Sequence, residues 1–319
     1  MKTLELEITN SCNEKCLHCY HPQNREVKFL KNLPLLDKAL SEFGELGFIF
    51  LTVTGGEPLL HPEFREICKL AQKHRYLINI KTNGTLIDES FAQFFKEVIP
   101  SSVEVSLYSA DKSEHDFITQ VEGSFEQAMD GVKILKENGV RISVMTPLLK
   151  GIKQWKELYD LMEKMDVPWG CSPNVNSSFD NRAEVEKFKG DYESYLDFLQ
   201  FVTKYESQKV ENIDSLCFKE CGGGVEMICI APDYSTRPCI SFPESVGIYE
   251  EGKGAELLKK AETALKERFA KLECHNCELV KHCGPCPAHL QIVNNTGICD
   301  SSKRDYALAK KHFYNTWNR

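Results

Sequence analysis

Fourteen cysteines fall into two dense groups along the 319 residues, and this distribution constrains the fold more than any other feature. Cys12, Cys16 and Cys19 crowd one short stretch near the start, and nine more lie from Cys217 to Cys299. In a reducing cell, cysteines at this density indicate metal or redox chemistry rather than disulfides. Thiols that only fill a hydrophobic core would be scattered along the chain.

Composition sets the broad class. The chain is 42% apolar and 27% charged, which is typical of a soluble globular protein and excludes a disordered one. The net charge of −8 argues against broad nucleic-acid or membrane binding, which needs a basic face. The sequence lacks an apolar stretch of the roughly 18 residues that indicate a transmembrane helix. The first ten residues alternate polar and apolar side chains, so no secretory signal is predicted and we expect a cytoplasmic protein.

The first half of the chain alternates short β-type runs with amphipathic helical stretches. Strands are predicted at residues 3–9, 48–54, 77–82, 102–108, 140–146 and 167–171. Helices are predicted at residues 34–46, 62–75, 89–98, 125–137 and 154–165. This alternation implies parallel strands joined by right-handed crossovers. Six such strands fit either an open doubly wound sheet or an incomplete α/β barrel.

Polar faces on the predicted strands favour the incomplete barrel. Glu5 and Glu7 share one face of the first strand, and Glu104 and Ser106 share one face of the fourth. Parallel strands covered by helices on both faces usually form nearly continuous apolar runs. Repeated polar faces therefore suggest an interior chamber that holds a polar ligand, although a solvated sheet edge explains any single strand equally well.

The second half of the chain has a different character. A charged helix is predicted at residues 184–206, a hairpin at 227–231 and 235–239, and further helices at 255–272 and 303–317. Cysteines and glycines become dense from Cys217 onward. We therefore expect an α/β domain over residues 1–210 and a small cysteine-rich domain over 211–319.

Three thiolates directly after the first predicted strand suggest an iron–sulfur cluster. Cys12, Cys16 and Cys19 can bind three irons of one cubane cluster, which leaves the fourth iron open to another ligand. Three zinc ligands with a distant fourth residue are an alternative, but structural zinc sites usually use paired two-residue spacings. Three unbonded thiols are the remaining alternative, and their crowding argues against it.

The segment C-N-E-K-C-L-H-C resembles the cluster motif of the radical S-adenosylmethionine (SAM) superfamily, with His18 at its aromatic position. The resemblance implies a partial barrel of six β/α units and a [4Fe–4S] cluster whose open iron binds SAM. One electron then cleaves SAM, and the resulting 5′-deoxyadenosyl radical abstracts a hydrogen atom from the substrate. A cellular donor of the flavodoxin or ferredoxin type would supply that electron.

A glycine-rich turn after the second predicted strand strengthens the resemblance. Gly55, Gly56, Glu57 and Pro58 resemble the family segment that binds the SAM amino group. Glycines allow a ligand to approach the backbone closely, and a carboxylate suits an ammonium group. On its own, the same segment could be an ordinary turn at the end of a strand.

Three further residues resemble SAM-binding positions of the family. Asn83, in a T-N-G segment, corresponds to a residue near the ribose, and Ser106 to one near the ribose or carboxylate. The usual carboxylate-binding arginine is missing after Asp116, and we expect Arg141 to replace it. Tyr108 stands where relatives often have aspartate.

The C-terminal cysteines resemble the SPASM extension of peptide-modifying radical SAM enzymes, which implies two auxiliary [4Fe–4S] clusters. By that resemblance, the first would be held by Cys217, Cys221, Cys239 and Cys286. The second would be held by Cys274, Cys277, Cys283 and Cys299. Paired C-x-x-C spacings also occur in zinc knuckles, but the five-residue gap between these pairs is short for a zinc ribbon.

Three cysteines remain outside these sets. Cys68 and Cys229 lie among apolar residues and are expected to be buried thiols. Cys171 ends the sixth predicted strand, where a barrel presents side chains to substrate. Its thiol could donate a hydrogen atom to a substrate radical, although a packed thiol at the end of a strand is the commoner situation.

The expected function is modification of a ribosomally made peptide or protein by cross-linking or oxidation. Because the first strand begins at about Thr3, recognition of a leader peptide would need a separate protein or another surface. Ile240, where sulfatase maturases often have aspartate, disfavours that activity, and a small-molecule substrate stays open. A non-catalytic iron–sulfur protein would need no SAM site, which the glycine turn, Asn83 and Ser106 together argue against.

Three cubane clusters predict about 12 irons per chain. Iron, sulfide and zinc measured on anaerobically reconstituted protein would test this number. A value near four irons with zinc present would contradict the two auxiliary clusters.

Overall fold

The computed structural model describes residues 1–173, 175–180, 182–206, 222–270, 277–279, 282–283, 286 and 301–317. The expected domain boundary at residues 210/211 lies outside these residues. Four of the predicted cluster ligands also lie outside them, namely Cys217, Cys221, Cys274 and Cys299.

The described part of the chain forms one nine-stranded sheet in the order β6-β5-β4-β3-β2-β1-β7-β8-β9. The first six strands are β1 (Lys2–Thr9), β2 (Phe48–Gly55), β3 (Leu77–Thr82), β4 (Ser102–Ser106), β5 (Ile142–Pro147) and β6 (Trp169–Ser172). Each pairs in parallel with the next. A doubly wound sheet reverses its strand order at one point, whereas these six strands follow one another in chain order without a reversal. Right-handed crossovers then place all the helices on one face, as in the predicted partial barrel.

Ten α-helices are present in the described residues. They are α1 (Leu33–Glu45), α2 (Phe64–Lys73), α3 (Glu89–Val98), α4 (Lys112–Thr119), α5 (Ser124–Glu137), α6 (Trp155–Lys164), α7 (Ala183–Glu186), α8 (Tyr192–Glu206), α9 (Gly254–Ala270) and α10 (Ser301–Trp317). The sequence analysis did not predict α4. None of these helices is long and apolar enough to cross a membrane.

The main core lies between the apolar faces of the strands and the helices. Leu4, Leu6 and Ile8 alternate along β1 and are fully buried with Phe43 of α1 and Phe64 of α2. Each such side chain contributes about 1.5–3 kcal/mol when it leaves water. Because side chains alternate along a strand, this register turns the polar residues of β1 toward the other face of the sheet.

The single helix predicted at residues 184–206 is wrong, because the structure has two helices there, α7 and α8. Gly190 lies between them, against the ring of Tyr195. A β-carbon on Gly190 would lie 2.6 Å from the Cζ atom of Tyr195. The chain therefore needs a glycine and a change of direction where the charge pattern alone suggested continuity.

The predicted hairpin is present but belongs to the same sheet as the barrel strands. It consists of β7 (Met227–Ile230) and β8 (Ser235–Arg237), which pair antiparallel, and β9 (Gly247–Ile248) follows beside β8. Strand β7 also pairs in parallel with β1. The strand and helix pattern of the sequence does not indicate this pairing, which brings the cysteine-rich second half of the chain next to the first strand.

Glu42 on α1 joins this helix to the segment that follows β9. Its carboxylate accepts hydrogen bonds from Tyr249 Oη at 2.8 Å and from the backbone nitrogens of Gly252 and Gly254 at 3.2 and 2.7 Å. The last of these donors opens α9, where a negative charge is favourable. This carboxylate therefore satisfies three donors at once.

Glu42→Gln should lower the free energy of unfolding by about 1–3 kcal/mol, because an amide nitrogen would face donors that need an acceptor. Denaturant titration measures the change. Glu45→Gln, an exposed position on the same helix, is the matched control. Equal stability of the two variants would contradict the bridging role.

Candidate functional site

A cavity of about 390 Å³ opens at the carboxyl ends of the parallel strands. Its wall contains Gly55 at the end of β2, Thr82 of β3, Ser106 of β4 and Pro147 of β5. This is the end of an α/β barrel at which ligands bind. The cavity is therefore the candidate site.

The cysteine loop forms one wall of this cavity, where Cys12, Cys16 and Cys19 all lie. Helix α4 supports the loop from behind. Lys15 N donates to Thr119 O at 3.0 Å, and Leu17 N donates to Ile118 O at 2.9 Å. Helix α4, which was not among the predicted helices, therefore fixes the position of the cysteine loop.

The three thiols fit a cluster better than a single metal ion. Burial raises the pKa of the Cys12 thiol to about 12 and that of Cys16 well above its usual value, so iron would replace a proton on binding. Within the described residues, no three Cys, His, Asp or Glu side chains converge on one metal position. In a cubane cluster each thiolate binds a different iron, so three thiolates around a shared cavity suffice.

Glu14 is a second ionisable group on this loop. The Cys16 thiol donates to its Oε2 atom at 3.2 Å. Burial raises the pKa of Glu14 to about 7, so the carboxyl is partly protonated near neutral pH. Glu14 therefore shares the buried setting of the thiol that it contacts.

The glycine turn after β2 lies directly against the cysteine loop. Gly56 N donates to Thr9 O at 2.8 Å, and Glu57 N donates to Ser11 O at 2.7 Å. A β-carbon on Gly55 would lie 2.0 Å from Thr9 O, and one on Gly56 would lie 2.2 Å from Ser11 O. Both positions therefore require glycine, and both line the cavity.

The Glu57 side chain corrects one prediction, because it does not face the cavity. Its buried carboxylate accepts from Thr82 Oγ1 and Asn83 N at 2.8 Å each and from Leu59 N at 3.0 Å. Burial raises the pKa of this carboxyl to about 7 despite these donors. Pro58 begins a short 3-10 helix and is also buried. Glu57 thus joins β2 to β3 rather than meeting an ammonium group.

Asn83 and Ser106 do lie in the cavity wall. Asn83 Nδ2 donates to Asn13 Oδ1 at 2.8 Å, so the end of β3 is also joined to the cysteine loop. Beside Ser106, the ammonium of Lys81 lies 3.4 Å from the carboxylate of Glu104. The polar chamber predicted from the strand faces is therefore present.

An aromatic group closes the cavity beside Cys16. The ring of His18 contacts the edge of the Tyr108 ring with centroids 4.8 Å apart, and Tyr108 Oη lies 3.7 Å from Cys16 Sγ. Burial lowers the pKa of His18 to about 4, so the imidazole is neutral. Its Nδ1 atom is buried without a hydrogen-bond partner among the described residues. Tyr108 was noted in the sequence only as a departure from the family pattern.

The structure contradicts the prediction for Arg141. This residue is exposed just before β5, and its Nη1 atom donates to Ser101 O at 3.3 Å. The amino ends of the strands lie away from the cavity, so this guanidinium cannot reach a ligand there. Cations that line the cavity are Lys15, Arg25 and Lys81, which the sequence analysis did not single out.

Cys171 does not face the cavity either. It packs into an apolar cluster with Trp155 of α6, Tyr195 of α8 and Ala309 of α10. Burial raises the pKa of its thiol to about 12. Alternation along β6 turns this side chain toward the helices, which corrects the prediction that it meets the substrate.

Four of the eight predicted auxiliary-cluster ligands are described, and they divide into two pairs. Cys239 and Cys286 share an apolar cluster with Phe242. Cys277 and Cys283 share another with Ala307. These pairs match the two sets that the family resemblance assigned to different clusters.

Comparisons with known proteins agree with this geometry. A family model described as "Radical SAM superfamily" matches residues 6–165, half of the chain. "Antilisterial bacteriocin subtilosin biosynthesis protein AlbA" of Bacillus subtilis is 26% identical over 94% of this chain and 70% of its own. "AdoMet-dependent heme synthase" of Nitratidesulfovibrio vulgaris is 24% identical over 96% of this chain and 92% of its own.

Solved structures share the fold. SuiB of Streptococcus suis bound to precursor peptide SuiA gives a TM-score of 0.75 at 19% identity, over 95% of this chain and 75% of that one. The protein anSMEcpe with bound AdoMet gives 0.76 at 18% identity, over 99% and 96%. These likenesses cover both the barrel strands and the cysteine-rich half.

Gly56→Ala should separate the glycine turn from the cysteine loop, because the new β-carbon would overlap Ser11 O. We expect iron affinity at the loop to fall by about 10- to 100-fold, as when a supporting partner of a metal ligand is lost. Iron retained after gel filtration measures this. The matched control is Gly44→Ala, whose β-carbon would make an ordinary 3.7 Å contact. Full iron content in Gly56→Ala would contradict the close packing.

Proposed function

This chain belongs to the radical SAM superfamily, and from that premise we propose that it abstracts a hydrogen atom from a peptide or protein substrate to mature a ribosomally made peptide. When bound, the [4Fe–4S] cluster supplies the electron that cleaves SAM to the hydrogen-abstracting 5′-deoxyadenosyl radical. The modification would be a cross-link or an oxidation.

One observation carries the proposal. The cysteine loop, the glycine pair, Asn83 and Ser106 come from four different strand ends, yet all of them line one cavity. Cys12, Cys16 and Cys19 would hold the cluster. The backbone carbonyl groups at Gly55 and Gly56 would accept hydrogen bonds from the SAM amino group. The Glu57 carboxylate does not take this role, because it already accepts three hydrogen bonds within the protein.

Similar proteins support a peptide substrate. AlbA is named for biosynthesis of a bacteriocin, SuiB was solved with its precursor peptide SuiA, and anSMEcpe was solved with the Cp18Cys peptide. The cavity of about 390 Å³ is near the lower end of the range for small-molecule sites, roughly 300–1,000 Å³. The cavity therefore has the volume of a small-molecule site, as a SAM-binding pocket requires.

The two cysteine pairs support auxiliary clusters. Cys239 with Cys286 and Cys277 with Cys283 would each contribute half of a four-thiolate set. Such clusters could accept the electron that the substrate loses. An electron donor of flavodoxin or ferredoxin type and a separate leader-binding protein belong to the same proposal.

A small-molecule substrate is the second candidate. The similarity to heme synthases over nearly their whole length favours it. The similar proteins that were solved with peptides favour the first candidate instead. A sulfatase-maturase role is less favoured, because Ile240 stands where an aspartate is usual in those enzymes.

Anaerobically reconstituted protein given SAM and dithionite should form 5′-deoxyadenosine, measured by liquid chromatography and mass spectrometry. Cys16→Ala should abolish this product, because it removes one cluster ligand. Cys68→Ala is the matched control, since Cys68 is also a buried thiol but belongs to the main core and does not line the cavity. If wild-type protein with an intact cluster forms no 5′-deoxyadenosine, the enzyme assignment fails.

The substrate class needs a second measurement. A short peptide encoded beside this gene should lose hydrogen atoms when it is incubated with the enzyme and SAM, as a fall in mass would show. Conversion of a tetrapyrrole with no change in any such peptide would instead establish the second candidate.

A further inference from the structure

The polar face of β1 holds the segment that carries Cys239. Glu5 Oε2 accepts from Ile240 N at 2.7 Å. Glu7 Oε2 accepts from Arg237 Nη2, and Arg237 Nη1 donates to Ile240 O at 3.3 Å. Two carboxylates of the first strand therefore fix the chain on both sides of Cys239.

The other oxygen of Glu7 reaches the cysteine loop. Tyr20 Oη donates to Glu7 Oε1 at 3.0 Å, and His21 Nε2 lies 3.3 Å from the same atom. The Glu7 carboxylate is thus shared between two cysteine-bearing segments. Tyr20 directly follows the predicted ligand Cys19, and Arg237 lies two residues before the predicted ligand Cys239.

This carboxylate lies in a closed and buried setting. Glu7 is 2% exposed and Arg237 is 6% exposed. The Arg237 guanidinium lies over the Phe179 ring at 5.4 Å and donates to Cys229 Sγ at 3.4 Å. Burial tends to raise the pKa of Glu7, but the charge of Arg237 and the hydrogen bonds from His21 and Tyr20 outweigh it and lower the pKa. The group is therefore a buried ion pair, and removing one partner of such a pair is costly.

We propose that Glu7 is a positioning residue shared by two iron–sulfur sites. One of its oxygens orients the loop that ends in Cys19, and the other orients the strand that leads to Cys239. The spacing between the SAM cluster and the first auxiliary cluster is then set by one side chain of β1. This inference rests on the proposed function, which assigns Cys19 and Cys239 to different clusters.

The physical reason lies in how thiolate ligands are held. Cys19 lies in the loop after β1, and Cys239 lies just after β8. Neither cysteine is part of a strand, so sheet hydrogen bonds do not fix the direction of its side chain. Hydrogen bonds from neighbouring groups fix the direction of metal ligands, and losing one typically lowers metal affinity by about 10- to 100-fold. A shared anchor also keeps two clusters at one separation, which electron exchange between them requires.

Glu7→Gln tests the proposal, because it preserves shape but removes the charge and one acceptor. The measurement is the rate at which a ferrous chelator removes iron from anaerobically reconstituted protein, with electron paramagnetic resonance identifying the cluster that is lost. We expect both the SAM cluster and the first auxiliary cluster to lose iron about 10- to 100-fold faster than in wild type.

Glu42→Gln is the matched control. Glu42 is also a carboxylate that bridges distant segments through three hydrogen bonds, but none of its partners adjoins a cysteine. It should lower stability while leaving iron release at the wild-type rate. Arg237→Lys provides a second test if Glu7→Gln does not fold, since it keeps the charge but loses the planar fork that reaches both Glu7 and Ile240. It should accelerate iron release in the same direction.

Suppose that the wild-type protein holds about 12 irons and that Glu7→Gln and Arg237→Lys both release iron at the wild-type rate. That result would overturn this inference but leave the proposed function intact. So would release that rises only as far as it does in Glu42→Gln. A wild type that holds about four irons would instead overturn the auxiliary-cluster assignment and the inference with it. The iron content of the wild type therefore separates the two failures.

Discussion

Two backbone hydrogen bonds between the end of β1 and the turn after β2 hold the site together. Gly56 N to Thr9 O and Glu57 N to Ser11 O bring the cysteine loop against the glycine turn, at a separation that excludes any side chain on Gly55 or Gly56. Neither segment could form the cavity alone. The parallel pairing of β1 with β2 supplies the register that brings them together, so the chemistry depends on the sheet directly.

Sequence reasoning predicted the parts of the molecule that depend on local pattern. Alternation placed all six barrel strands, and short motifs placed Cys12, Gly55 and Ser106 at the cavity. It failed where the answer depended on contacts between distant segments. The pairing of β7 with β1 leaves no periodic signal, because its cause is a neighbour far along the chain. The break at Gly190 is also missed, because it depends on close packing against the ring of Tyr195 rather than on the charge pattern.

The mistaken site residues have the same origin. Arg141 was chosen for its charge, yet its position before β5 places it at the opposite end of the sheet. Cys171 was chosen for its place at the end of a strand, yet the strand register turns it toward the helices. Glu57 lies in the correct motif, but its carboxylate is used within the protein. Adjacent side chains of a strand point to opposite faces of the sheet. Residue type and position along the strand therefore do not show whether a side chain faces the cavity or the helices.

The alternation along β1 links stability and chemistry in one strand. Leu4, Leu6 and Ile8 anchor it in the core, so burial fixes which face of the strand meets the helices. Because successive side chains point to opposite faces, Glu5 and Glu7 must then face the interior, where a charge persists only if it is paired. The donors that satisfy them come from the segments that carry cysteines. The register of the first strand therefore determines where the cysteine loop and the cysteine-rich hairpin pack against it.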